Sequence, residues 1–189
     1  MPSPRPSQHL LVEPIFIGLA GRIGAGKTSA AQYVSSKYGF QYTRYSAILQ
    51  DWFPAHGSNK DRLQKLGWDI MAGGRQVELN SRLLAGVDHS RSGVIDGLRH
   101  RVDFDSLSST FGSSFRLVFL QARQETRFHR LGSRFSDYIS FQEADSHPVE
   151  AHIDSLKAFA SMIILNDESL EGLYRQLDAL ITSETGEHK

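Results

Sequence analysis

Eight consecutive residues, Gly21-Arg22-Ile23-Gly24-Ala25-Gly26-Lys27-Thr28, carry the most specific chemistry in this chain. They satisfy the G-x-x-x-x-G-K-[ST] spacing, in which glycines let a loop turn its backbone N–H groups inward around an anion. A lysine in the seventh place reaches the β- and γ-phosphates of a bound nucleotide as a point charge, and the hydroxyl in the eighth is a ligand for magnesium. The pattern predicts a cradle for a triphosphate, ATP with Mg2+, built from Gly21, Gly24, Ala25, Gly26, Lys27, Thr28 and Ser29. Arg22 has two readings: it faces the nucleotide, or it lies in solvent.

A second candidate is Asp96, at the carboxyl end of the apolar run Gly93 to Leu98 (GVIDGL). In open α/β sheets ligands gather outside that end of the strands. A carboxylate there holds magnesium directly or through water while the ion bridges the phosphates. Arg99 follows three residues later, after a glycine that lets the chain turn, and a guanidinium suits bidentate recognition of phosphate better than an ammonium. The competing reading is an aspartate that caps a helix, with Arg99 as its surface partner.

These groups need elements to hold them. Ile15 to Ala20 (IFIGLA) is continuously apolar, as in a strand buried on both faces of a parallel sheet, and Thr28 to Lys37 has the apolar spacing of a helix. A strand before the loop and a helix after it is the setting the phosphate cradle requires. Phe40 to Tyr42 reads as a short strand. Ser46 to Val87 reads as interrupted helix, with breaks at Pro54-Gly57 and at Gly73-Gly74. Phe115 to Ala122 is a strong strand, Gln124 to Leu131 a helix, and Gly132 to Pro148 a polar loop or lid. A helix end then leads into a last strand, SMIIL, and Ser169 to Ile181 closes the fold as an amphipathic helix. Strands alternating with helices imply an α/β protein with a doubly wound, mainly parallel sheet.

The bulk numbers narrow the classes. The chain's 189 residues suit one domain with a sizeable core. Lys plus Arg equals Asp plus Glu, so there is no net charge to draw in nucleic acid or an anionic membrane, and any anion site must be local. The absence of cysteine excludes disulfides, thiolate metal sites and thiol nucleophiles. No stretch has the roughly 20 apolar residues of a membrane span, and no signal-peptide cleavage pattern follows Leu10 to Ala20. A cytoplasmic protein, monomer or homodimer, is expected. Residues 1–12, rich in Pro and Ser, read as a mobile tail, 13–183 as the domain, and 184–189 as a frayed end.

GLAGRIGAGKT together with VIDGLR resembles the P-loop nucleoside monophosphate kinase and dephospho-CoA kinase group, whose adenylate kinase members carry a similar Asp-Gly-x-x-Arg element. DRLQKLGWDIM and SMIILNDESLEGLYRQL also resemble deoxynucleoside monophosphate kinase-like proteins. The likeness runs from about Ile15 to Ile181. It implies a three-layer α/β/α P-loop NTPase fold with a five-stranded sheet, a helical acceptor-binding insertion at about 44–90 and a short lid at about 132–148. It also implies phosphoryl transfer from ATP to a nucleoside or deoxynucleoside monophosphate, with a dephospho-CoA kinase-like enzyme or a nucleotide-sensing module of low turnover as alternatives. Lys27, Thr28, Asp96 and Arg99 fall at matching positions.

Two further sets acquire candidate roles through this resemblance. Arg123, Arg127, Arg130 and Arg134 are spaced to share one face of a helix and its exit, where like charges repel by a few tenths of a kcal/mol per pair unless an anion joins them. The family places phosphoryl-clamping arginines in this region, which makes Arg127 and Arg130 catalytic candidates; the other reading is a solvated face neutralised by Glu125 and Asp137. Arg44, Tyr45, Arg62, Gln64 and Arg75 are the polar candidates for an acceptor surface, beside Arg99. A base stacks on Tyr45 or Trp68 in one reading, and both rings are core in the other. Asn166 and Asp167 resemble the place where such kinases hold adenine, with a plain turn as the alternative. The eight histidines show no ligand spacing, so no transition metal is expected. The sequence Gly132-Ser133-Arg134-Phe135 matches no recognisable zinc or arginine-rich lid.

Overall fold

The glycine-rich sequence of residues 21–28 follows the central strand of a sheet whose order is β2-β3-β1-β4-β5. The strands are β1 (Phe16–Ala20), β2 (Gln41–Arg44), β3 (Gly93–Leu98), β4 (Phe115–Gln121) and β5 (Met162–Leu165), and every neighbouring pair is parallel. The computed structural model describes residues 13–56, 60–132 and 134–186. The expected N-terminal tail at 1–12, the helix-ending Gly57, Ser133 of the lid and residues 187–189 lie outside the described residues.

Both faces of the sheet are covered, which is why β1 reads as an unbroken apolar run and is buried throughout. On one face, Ile17, Leu19, Val94, Val118 and Ile164 pack with α1 (Lys27–Tyr38) and α9 (Leu170–Thr185) through Ala30, Val34, Leu173 and Leu177. On the other, Phe16, Ile95, Leu117 and Phe119 pack with α2 (Tyr45–Trp52), α3 (Lys60–Ala72), α4 (Gln76–Ala85), α5 (Arg101–Phe111) and α8 (Pro148–Ser155). The architecture is three layers, α/β/α, with a parallel five-stranded sheet, as the sequence implied. The three helices between β2 and β3 form the expected insertion.

The structure corrects several local readings. Beyond α6 (Gln124–Arg130), the stretch assigned to a polar loop contains a helix, α7 (Tyr138–Asp145), capped where the Asp137 side chain accepts from the Ser140 amide at 2.8 Å. Its buried Phe141 joins Phe128 and Phe135 in an aromatic cluster, so a short polar sequence is held helical by one packed ring. The helix α8 starts on Pro148, a residue pre-set for the first helical position. The helix α5 was concealed by its serines; Asp103 secures its start by accepting from the amides of Arg99 and His100, both at 2.9 Å. At the C-terminal end, α9 continues through Thr185, into the stretch expected to fray.

Tyr45 is a correction with energetic content. It is 5 % exposed and donates its hydroxyl to Asn80 Oδ1 at 2.6 Å, so it ties α2 to α4 inside the core and presents no ring to an acceptor. Burial pushes its hydroxyl pKa well above the usual value. Tyr45→Phe strands a buried carbonyl oxygen, and is expected to cost about 1–3 kcal/mol in chemical denaturation with nucleotide affinity unchanged.

Candidate functional site

The chain leaves β1 through Gly21 and enters α1 at Lys27, with the loop between them curved by positive φ at Gly21 (140°), Gly24 (78°) and Gly26 (100°). Gly26 is enforced by contact as well as by angle, since a Cβ there would lie 2.3 Å from the amide nitrogen of Asn166. That amide donates to Ala25 O at 2.9 Å, and Arg130 in turn donates to the Asn166 carbonyl at 2.7 Å and to the Glu168 carbonyl at 3.2 Å. The loop is therefore braced from behind. Neither a side-chain cap nor an acidic residue occupies the first turn of α1. Its first amides lack intrahelical acceptors, and together with the helix dipole they form an anion site.

Lys27 folds back over this loop and donates to Gly21 O at 2.6 Å and Arg22 O at 3.1 Å. Burial lowers its pKa to about 8; Asp96 and Glu150 pull it up, while Arg99 and Arg127 push it down. An incoming phosphate supplies the counter-charge this ammonium lacks. Thr28, one residue on, donates its hydroxyl to Asp96 Oδ2 at 3.0 Å, and Tyr42 donates to the same oxygen at 3.2 Å. Asp96 is buried in β3, level with Arg44 of β2 and Leu19 of β1. Burial and the Asp96 carboxylate push the Tyr42 phenol up to about 12, so it remains a donor. Among the described residues no three His, Cys, Asp or Glu side chains converge. The paired oxygens of Thr28 and Asp96 nonetheless fit magnesium, a hard ion that takes one or two protein oxygens and completes its shell with water and phosphate.

On the other side of the loop, Glu150 of α8 reaches in from a position only 1 % exposed. Its Oε2 accepts from the Ile23 amide at 3.2 Å, and its Oε1 lies 3.6 Å from Arg99 Nη1. Arg99 is oriented by the Asp103 carboxylate on its backbone amide and sits beside Asp96. Burial lowers its pKa, opposed by Glu150 and Asp96. The neighbouring His100 is buried, and burial together with His152 and Arg99 lowers its pKa to about 4, leaving a neutral ring at physiological pH. His152 packs on both His100 and Trp68, and Trp68 meets His147 edge-on, at ring separations of 5.7, 5.7 and 5.5 Å.

The arginine row separates into different tasks. Arg127 is 4 % exposed, forms a two-point pair with Asp145 (Nη2 to Oδ2 at 2.8 Å), and donates to the carbonyls of Ile23 and Ala122. Burial raises the Asp145 pKa, but the hydrogen bonds and charge of Arg127, with Arg22, outweigh it and hold the carboxylate below its ordinary value. Arg22 lies against Asp154, at 2.6 Å, and Asp145, at 3.3 Å, so neither of its expected readings describes it. Arg123 is exposed and pairs with Asp167 at 3.4 Å. Thus Arg127 and Arg22 fasten the lid helices to the phosphate loop. Arg127 as a phosphoryl clamp is corrected on the ground that its guanidinium is buried and already donates to Asp145, Ile23 and Ala122.

The acceptor candidates also disperse. Arg44 is exposed at the end of β2, near Tyr42 and Asp96, and Arg62 is exposed on α3. Gln64 lines a cavity of about 380 Å³ between α3 and α7, together with Lys65, Phe135, Glu143 and His147. Arg75 pairs with Glu78 at 2.9 Å and lies over the Trp52 ring, on the outside of the insertion. Asn166 points at the loop backbone, which corrects its expected place beside adenine. Sequence reasoning missed Tyr42, Asp145 and Glu150; only the topology brings these polar residues to the loop.

No protein-family model matches this chain. A UPF0200 protein of Thermoplasma volcanium is 27% identical over 181 residues, spanning 88% of this chain and 96% of that protein. Shikimate kinase from Acinetobacter baumannii, solved with shikimate, superposes with a TM-score of 0.61 at 16% identity, covering 95% of this chain and 98% of that one. A sugar kinase from Janibacter sp. gives a TM-score of 0.53 at 16% identity, covering 90% and 93% of the two chains. At these identities the likeness establishes the fold, and this chain has the architecture of those small-molecule kinases. No helix among the described residues is long and apolar enough to cross a membrane.

Two outcomes follow from this geometry. Because the Lys27 ammonium is lost near pH 8, triphosphate affinity measured by calorimetry is expected to fall as pH rises above 8, with proton uptake on binding; Lys27→Met removes that dependence. Arg127→Ala leaves the buried Asp145 short of its main partner and is expected to destabilise the fold by about 3 kcal/mol, whereas Arg123→Ala, at an exposed pair, changes stability by less than about 1 kcal/mol in the same denaturation assay.

Proposed function

We propose that this chain is an ATP- and magnesium-dependent phosphotransferase acting on a small acceptor, with nucleoside or deoxynucleoside monophosphates as the acceptor class its sequence suggests. The observation that carries the reading is the convergence, at the carboxyl ends of the central strands, of the glycine loop, Lys27 and the Thr28–Asp96 pair. Phosphoryl transfer asks little covalent chemistry of a protein, so positioning and charge neutralisation do most of the catalysis.

In this reading the loop amides and the start of α1 bind the β-phosphate, and Lys27 leaves the carbonyls of Gly21 and Arg22 to follow the β- and γ-oxygens. Thr28 and Asp96 would hold magnesium, which would supply positive charge to offset the negative charge developing on the phosphates. Tyr42 keeps the Asp96 carboxylate aimed at that position. Arg99, three residues beyond Asp96 and with its backbone amide held by Asp103, is the guanidinium assigned to the transferring group. Arg130 acts indirectly, through Asn166 and the loop backbone. Of the acceptor candidates, Arg44 lies nearest this centre, level with Asp96 on the neighbouring strand.

The test is an acceptor panel read by ADP release. Lys27→Ala is expected to abolish transfer, and Asp96→Asn to raise the magnesium concentration required about tenfold or more while nucleotide affinity changes little. Unchanged turnover in both variants contradicts the assigned roles.

A further inference from the structure

Among the described residues of the site, Glu150 is the group that the binding of a polyphosphate does not explain. A carboxylate beside a phosphate cradle repels the ligand, yet this one is 1 % exposed and is held there by a loop amide, Ile23 N–H, at 3.2 Å on Oε2. Its Oε1 has no hydrogen-bond partner among the described residues, and neither has the buried Nη1 of Arg99, 3.6 Å away. Buried polar atoms in folded proteins are nearly always satisfied, so an acceptor oxygen and a donor nitrogen left open side by side point to a ligand that bonds to both. The Ile23 amide and Arg99, which follows Asp96 by three residues, are the two groups that fix this carboxylate between the loop and the end of β3.

We infer that Glu150 receives the proton of the attacking group, and that this group is an alcohol hydroxyl. The inference rests on the phosphotransferase reading and narrows it: an acceptor of the nucleotide class is phosphorylated on a sugar hydroxyl and not on its phosphate. A hydroxyl offers Glu150 Oε1 the O–H donor that it lacks, and its lone pair faces the γ-phosphorus. A phosphate monoester is mostly a dianion at neutral pH, so its attacking oxygen is already deprotonated and meets a second negative charge at that point. In the step, the acceptor oxygen forms a bond to the γ-phosphorus as the bond from that phosphorus to the β,γ-bridging oxygen breaks. ADP departs with the electron pair, and the hydroxyl proton passes to Glu150 Oε1. Arg99 Nη1 takes an oxygen of the transferring group and so keeps the carboxylate and the phosphoryl apart.

The layout of the helices agrees with this role. The helix that carries Glu150 also carries His152, whose ring meets those of Trp68 and of the buried His100, so the face of α8 is aromatic and carries no Lys or Arg that would attract a second phosphate. Glu150 is carried on α8, which follows α7 directly, and α7 is fastened to the loop by Arg127 and Asp145, so the carboxylate is held in register with the cradle.

The experiment measures steady-state turnover and identifies the product. Wild type, Glu150→Gln and Glu150→Asp are compared for ATP affinity, for basal ATP hydrolysis with water as the hydroxyl, and for transfer to a panel of nucleoside monophosphates and hydroxyl-bearing sugars, with products assigned by phosphorus NMR. The expected result is a phosphomonoester product, a fall of about 100-fold or more in kcat for Glu150→Gln, partial recovery in Glu150→Asp, and ATP affinity within threefold of wild type in both. A diphosphate product, or a Glu150→Gln variant that binds ATP and turns over within threefold of wild type, overturns the assignment while leaving the phosphotransferase reading intact. Tight ATP binding with no ADP release from wild type under any condition defeats the phosphotransferase reading itself, and this inference with it.

Discussion

The backbone of residues 21–26 takes a path that only glycines at three of its positions permit, and the remaining structure is arranged to keep it on that path. The carbonyl of Leu120, in β4, lies 2.3 Å from where a Cβ on Gly21 would stand, and the Asn166 amide is as close to that of Gly26. A loop so enclosed has little freedom to rearrange, and its amides are oriented before any ligand arrives. Preorganised dipoles of this kind need no reorganisation when charge appears, and this is the source of most of their value at a reacting centre.

Charge is distributed around that loop in two shells with different duties. The inner shell is Lys27, Asp96, Arg99 and Glu150, whose partners are few and whose geometry is loose, with the Arg99–Glu150 pair at 3.6 Å. The outer shell is Arg127, Asp145, Arg22 and Asp154, joined by close and multiple hydrogen bonds. Satisfied buried networks rigidify a structure, and partly satisfied ones are poised to take a ligand. The contrast separates the residues that brace the loop from those left with capacity for a ligand, although all of them are ionic and near the same loop.

The phosphate loop and the parallel sheet were legible in the sequence because both depend on local signals: glycine spacing for one, continuous apolar runs for the other. The positions of Thr28 and Asp96 were legible for the same reason, the one opening the helix after the glycine loop and the other lying near the carboxyl end of an apolar strand. The errors concern residues whose role depends on distant partners. Tyr45 and Arg75 carry polar groups on a helical insertion, and nothing local distinguishes a tyrosine tied to Asn80 from one that lines a cleft. Arg127 has the spacing of a surface stripe, and its burial follows from Asp145, on a helix that the sequence did not announce. Glu150 escaped notice because α8 returns to the loop only through the three-dimensional path of the lid.

The central claim, that the main-chain amides from Gly24 to Thr28 form a ready cradle closed by Lys27, is tested most directly by amide NMR. A non-hydrolysable ATP analogue is titrated with magnesium, and the backbone resonances of residues 21–29 are followed. Saturable shifts concentrated at these amides, with the Lys27 ammonium leaving the Gly21 and Arg22 carbonyls, are the predicted result. Unmoved loop resonances at saturating analogue, with Lys27 still bonded to those carbonyls, contradict the account.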